Sequence, residues 1–310
     1  RGRGAYDPMA DRQAAEQRAL DGSRMLAEVL RALTVLSRTT APGAFSGDDA
    51  RTVARALFAG VEPRHHPQPL RHAMYVLLES LVVRHADALA VRADGAAEHA
   101  FVRDFAAFVA GEKDPRNLLL LFGLEHTLVR WPLTRADAAH FFDVIFCYFP
   151  ITFRAPPHDP YGITPEQLKT ALRACICATP AFAALAMPLL VEKLAASGGS
   201  AKLDTLATLR AALPVYGADA ARAHADALWT HLRVELLQPT DDETAASAQE
   251  TLAVLLRVLY THAAAPDGLA TLVLDGAGQL RRVQEDPVLV GPRVEVLGRA
   301  VLGEVVVLDV

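Results

Sequence analysis

The chain has 310 residues, of which 52% are hydrophobic and 22% charged, with a formal net charge of −5. That balance excludes a disordered chain and argues against broad electrostatic binding to nucleic acid, which needs clustered Lys and Arg. No apolar run reaches the roughly 18–20 residues of a membrane span, and three cysteines do not make a disulfide framework.

Residues 1–9 read as a loose tail, and residues 10–310 as one continuous helical domain. A helical pattern starts near Asp11 and runs through Met25, Leu26, Val29, Leu30, Leu33 and Leu36, spaced mostly by three or four. Ser46 with Asp49 forms a capping box for a helix over 53–58. Pro63, Pro67 and Pro69 keep the next link out of helix. Helices follow from Leu70, with Met74, Leu77, Leu78, Leu81 and Val82 as their stripe, and over 97–110, with Phe101, Phe105 and Phe108. Asp114-Pro115 sets a capping carboxylate before a proline at the first helical position, and the apolar stripe from Leu118 to Val129 is too wide for a helix with one wet face. Trp131-Pro132 stops that helix, and Thr134 with Asp137 caps the next.

Further on, 154–162 is a proline-rich loop expected at the surface. Thr164-Pro165-Glu166-Gln167 is a capping box with proline at N1, and Thr179-Pro180 begins another helix at a tight corner. Ser200 is expected to cap a helix over 202–213. Ala225, Leu228, Trp229, Leu232 and Leu236 stripe the one after it, and Thr240 with Glu243 is expected to cap a helix carrying Leu252, Leu255, Leu256 and Leu259. Beyond residue 271 the pattern weakens, and the tail is expected to be helical through Leu302. Arg1 in place of Met, and the β-branched ending at 305–310, are expected of a piece of a longer chain. Second helices of successive pairs recur at intervals mostly close to the roughly 40–47 residues of HEAT and armadillo units. The fold class expected is therefore an all-α, HEAT/armadillo-like solenoid of stacked antiparallel helix pairs.

Three ordered motifs stand out: Gly111-Glu112-Lys113-Asp114-Pro115-Arg116-Asn117-Leu118-Leu119, Cys147-Tyr148-Phe149-Pro150-Ile151 and Pro156-Pro157-His158-Asp159-Pro160-Tyr161-Gly162-Ile163. Thr179-Pro180-Ala181-Phe182, Leu189-Leu190-Val191-Glu192-Lys193-Leu194 and Ala201-Lys202-Leu203-Asp204-Thr205-Leu206 follow. In this order they resemble the large HEAT-repeat MMS19-type adaptor family, named for methyl methanesulfonate sensitivity, over roughly residues 70–260. The resemblance implies the N-terminal HEAT region of that adaptor. It further implies a non-enzymatic scaffold of the cytosolic iron–sulfur assembly (CIA) targeting complex, present in cytoplasm and nucleus. Such a scaffold recruits client apoproteins such as helicases, polymerases and primase, and docks the other targeting subunits through C-terminal repeats absent from this chain. No direct nucleic-acid or membrane contact is expected. Another helical-repeat scaffold, such as a transport receptor or the regulatory subunit of a complex, is the alternative.

The chemistry is sparse. Cys175 and Cys177 stand two apart on a helix and so point about 200° away from each other, which suits buried thiols rather than one ion. Iron–sulfur clusters usually take four ligands, and three thiols without ligand spacing imply no resident cluster or other cofactor. His65, His66 and His72 read as solvated, and Asp241-Asp242-Glu243 as charge at a helix start. No catalytic motif occurs. Glu112, Lys113, Asp114, Arg116 and Asn117 read either as caps with an Asp/Arg hydrogen-bond ladder between neighbouring repeats or as polar contacts for a partner on the inner face. Asp159 and Tyr161 are either parts of a rigid spacer between repeats or presented to another protein. Phe141, Phe142, Phe146, Tyr148, Phe149 and Phe153 read as core between repeats.

Overall fold

A computed structural model describes residues 8–39, 41, 43–91, 99–154 and 161–261. Asp159, the rest of 155–160, and the expected helix before Leu302 lie outside them. The described residues are all-α, with no strand among them. The helices are α1 (Pro8–Arg38), α2 (Gly47–Gly60), α3 (Gln68–Arg84), α4 (Ala86–Leu89), α5 (Ala100–Val109), α6 (Pro115–Leu128), α7 (Arg135–Phe146), α8 (Pro165–Ile176), α9 (Ala183–Ala196), α10 (Gly199–Leu237) and α11 (Asp242–Thr261). Pro63–His65 and Pro180–Phe182 are 3-10 turns. The first helix begins two residues inside the stretch expected as a tail.

Local chemistry starts most of these helices. Ser46 and Asp49 exchange side-chain and backbone bonds at the head of α2, as Thr164 and Gln167 do at α8 and Thr134 and Asp137 at α7. Two caps differ from expectation. The chain enters α10 at Gly198, so Ser200 already lies inside the helix. At α11 the capping side chain is Asp241, which accepts from the Thr244 backbone N–H at 2.7 Å, and not Thr240. A carboxylate outbids a hydroxyl at a site where free N–H groups carry partial positive charge.

The described residues form two compact units: one runs through Val144 and includes the segment ending at Ile163, and the other holds Ile145 to Arg154 and everything from Thr164 on. In the first, α1, α3 and α6 pack in sequence, while α2 packs on α5. Phe105 of α5 meets Phe141 of α7 edge to face, with centroids 6.0 Å apart. These are two rows of helices, the arrangement of stacked pairs. Leu77, Leu78, Leu81, Phe105, Leu121 and Phe141 are its buried core.

In the second unit α8 and α11 pack on α10, as does α9. The unbroken run of α10 is deceptive. Lys202 near its start pairs with Glu235 near its end. Thirty-three residues of straight helix would separate them by about 50 Å. The chain turns back at Gly217, whose φ of 83° and ψ of 175° suit glycine almost alone, with Pro214 just before it. The expected pair of helices on either side of this point is what forms.

Polar bonds between helices recur at repeat-like separations. Ser37 bonds Ser80, 43 residues away; Tyr216 donates to the Ile176 carbonyl, 40 away; and Arg210 donates to Ser247, 37 away. Phe141, Phe142, Phe146 and Phe149 are buried as expected, whereas Tyr148 and Phe153 are half-buried. Cys175 and Cys177 are buried too, and burial pushes the Cys177 thiol up to about 12. No single described helix is long and apolar enough to cross a membrane.

Candidate functional site

The 111–117 motif gathers at the entry to α6. Helix α5 ends at Val109, and Gly111, with φ of 80°, turns the chain so that Glu112 tucks inward. Its carboxylate side chain is 1% exposed and sits within a ring of donors. Arg71 grips it with both ends of its fork, Nε to Oε2 and Nη2 to Oε1, each at 2.8 Å. Tyr75 Oη donates to Oε2 at 3.0 Å and Asn117 Nδ2 at 3.1 Å. The backbone N–H groups of Lys113 and Asp114 donate to Oε1 at 2.8 and 2.9 Å. Burial pushes this carboxyl up, but the Arg71, backbone and Asn117 donors together outweigh it and hold Glu112 at about 2.

Around this centre the other motif residues divide. Asp114 is the N-cap of α6, accepting from the backbone N–H of Arg116 at 3.0 Å and of Asn117 at 3.2 Å. Asn117 is fully buried, and its Oδ1 meets Gln68 Nε2 at 3.2 Å and His72 Nδ1 at 3.0 Å. Glu112, Asp114 and Asn117 are thus all bonded to side chains of α3, Gln68, Arg71, His72 and Tyr75. Lys113 is exposed and gives the network only its backbone. Arg116 lies 3.6 Å over the ring of Tyr161, itself 57% exposed, so these two meet in a cation–π contact at the surface.

The partners on α3 escaped sequence reading. Gln68, Arg71, His72 and Tyr75 lie on one helical face at spacings of three and four, and that polar face was the available signal. His72, expected to be solvated, is instead half-buried and bonded to Asn117. His66 is half-buried as well and lends its carbonyl to Arg71, while His65 is exposed beside Glu62. A carboxylate held at about 2 and surrounded by donors is a poor proton acceptor at neutral pH; the cluster is suited to fixing geometry. Beside it opens a groove of about 770 Å³, whose lining includes Arg55 and Phe58 of α2, Phe108 of α5, Arg71 and Lys113.

Comparison with known proteins places residues 16–238 in the family described as Dos2-interacting transcription regulator of RNA-Pol-II, the MMS19 N-terminal region. That match begins well upstream of the stretch in which motifs were legible. The chain is 35% identical over 241 residues to the MMS19 nucleotide excision repair protein homolog of Homo sapiens, covering 76% of this chain and 22% of that protein. It is 43% identical over 145 residues to the DNA repair/transcription protein of Saccharomyces cerevisiae that also carries the MMS19 name, covering 46% and 14%. To the DNA repair/transcription protein mms19 of Schizosaccharomyces pombe it is 35% identical over 210 residues, covering 67% and 20%. The chain spans about a fifth of the length of most of these relatives.

Proposed function

The chain belongs to the MMS19 N-terminal family, and from that premise we propose that it is the N-terminal part of a non-enzymatic adaptor serving cytosolic iron–sulfur protein assembly. In this reading the adaptor brings apoproteins of DNA replication, repair and transcription to the cluster-targeting complex in cytoplasm and nucleus. The relatives' names, which couple DNA repair with transcription, support it. The observation that carries it furthest is the Glu112 network, which lies in a motif of the MMS19-type adaptors and locks successive helix pairs together. Rigid, repetitive scaffolds of this kind present long surfaces on which several proteins can sit at once.

Repeat stacks make mostly nearest-neighbour contacts, so a piece keeps its own surface without a distant docking site. The test is a paired co-precipitation of residues 1–310 and of a longer adaptor lacking them. The segment should bind targeting subunits poorly and retain some client apoproteins, while the deleted adaptor should lose selected clients and keep the targeting subunits. Tight binding of targeting subunits by residues 1–310 alone would overturn this division.

A further inference from the structure

The groove beside the Glu112 network shares Arg71, Tyr75 and Glu112 with it and extends beyond it to α2 and α5. Aromatic side chains back it: the half-buried Phe58 meets the buried Phe108 edge to face with centroids 5.3 Å apart, and the buried Tyr75 stands perpendicular to Phe108 at 6.3 Å. Its charges are unevenly satisfied. Arg71 is bound to Glu112, Arg64 to Glu62, and Asp104 to Arg103. Arg55 and Lys113 are different. Both are exposed, they come from separate elements, and neither has a carboxylate partner among the described residues. The only side-chain bond of Arg55 there is a long one, from Nε to the Arg51 carbonyl at 3.4 Å.

From this juxtaposition we propose that the groove docks an acidic peptide segment of a partner protein, one large apolar side chain resting on the half-buried Phe58 and flanking carboxylates meeting Arg55 and Lys113. An aromatic wall that displaces water strengthens ion pairs formed against it. Glu62, Asp104 and Glu112 line the same groove but each is paired with an arginine, so the charge left unanswered is Arg55 and Lys113, which carboxylates flanking one apolar residue can match and which are too few to hold a phosphate backbone. The proposal rests on the adaptor reading only in taking the occupant to be protein.

The test is fluorescence anisotropy of the purified chain with three labelled probes: the peptide Glu-Asp-Glu-Trp-Glu-Asp-Glu, its counterpart with every acid replaced by Lys, and a single-stranded oligonucleotide. The acidic peptide should bind best, weaken as salt rises to about 0.5 M, and lose about tenfold or more in affinity to the Arg55→Glu/Lys113→Glu variant. Both changes are at exposed positions, and an unaltered circular dichroism spectrum confirms the fold. Replacing Trp by Ala in the probe should weaken binding without reducing its salt dependence. Equal binding of the basic peptide, preference for the oligonucleotide, no binding of the acidic peptide, or indifference to the double reversal would each overturn the proposal. Co-precipitation with targeting subunits is read separately, so either result can fail while the other stands.

Discussion

The two ends of α6 treat the same side chain in opposite ways. At its entry, Glu112 is buried and ionised; toward its far end, Glu125 is 1% exposed, its Oε2 has no hydrogen-bond partner among the described residues, and burial alone pushes it up to about 8. The difference lies in what each neighbourhood can donate. A helix start leaves backbone N–H groups free, and here α3 adds Arg71 and Tyr75. Farther along, the backbone N–H groups are used within the helix, and Leu121, Leu124 and Leu128 are buried around the same turns. Burial therefore does not decide ionisation; the supply of donors does.

The sharpest way to break this contrast is Glu112→Gln, which leaves the mostly buried Arg71 guanidinium without its anion. It should cost about 3 kcal/mol or more at neutral pH, read from the urea unfolding midpoint. Because the folded carboxyl is lowered from 4.5 to about 2, its stabilisation is present above the unfolded value and is lost as pH falls through 2. The penalty of the variant should shrink over that same window, and a constant penalty would contradict the assignment.

Glu125→Gln should act in the opposite sense. The folded carboxyl is raised from 4.5 to about 8, so its contribution is full below the unfolded value and is lost as pH rises through 8. Keeping it protonated at pH 7 costs about 3 kcal/mol, and the amide should recover much of this. The variant should be more stable at pH 7 and no more stable at pH 4; identical profiles would mean that Glu125 is ionised in the fold.

Smaller effects refine the comparison. Asp114→Ala removes the cap of α6 and should lower stability by about 0.5–2 kcal/mol, with Asp114→Asn milder. Lys113→Ala should change stability by no more than about 0.5 kcal/mol, since only its backbone serves Glu112. A larger loss at Lys113 than at Asp114 would place the stabilising charge on the surface of the motif instead of within it.

Much of this was legible because it is local. A capping box spans four residues, so Ser46, Thr134 and Thr164 announce themselves, as does Asp114 before Pro115. Thr240 and Asp241 show where such reading slips: two neighbouring residues can both cap, and the carboxylate takes the free N–H group. The Glu112 centre was half legible. Its motif stood out, but Arg71 lies 41 residues away, and nothing local says which helix face will meet it. Glu125 was missed although its position four residues after Leu121 put it on the apolar face. Asking where a charge on that face would find a partner was the available signal.

The reversal at Gly217 has an evolutionary consequence. Two helices that join through a single glycine have no slack between them, so the register of Lys202 against Glu235 is fixed by chain length. One inserted residue would rotate the following helix by about 100° and carry Leu228 and Leu232 out of the core. Insertions should be purged from this hinge and tolerated in longer connections, which makes residues 199–237 a rigid ruler against which drift elsewhere in the repeats can be measured.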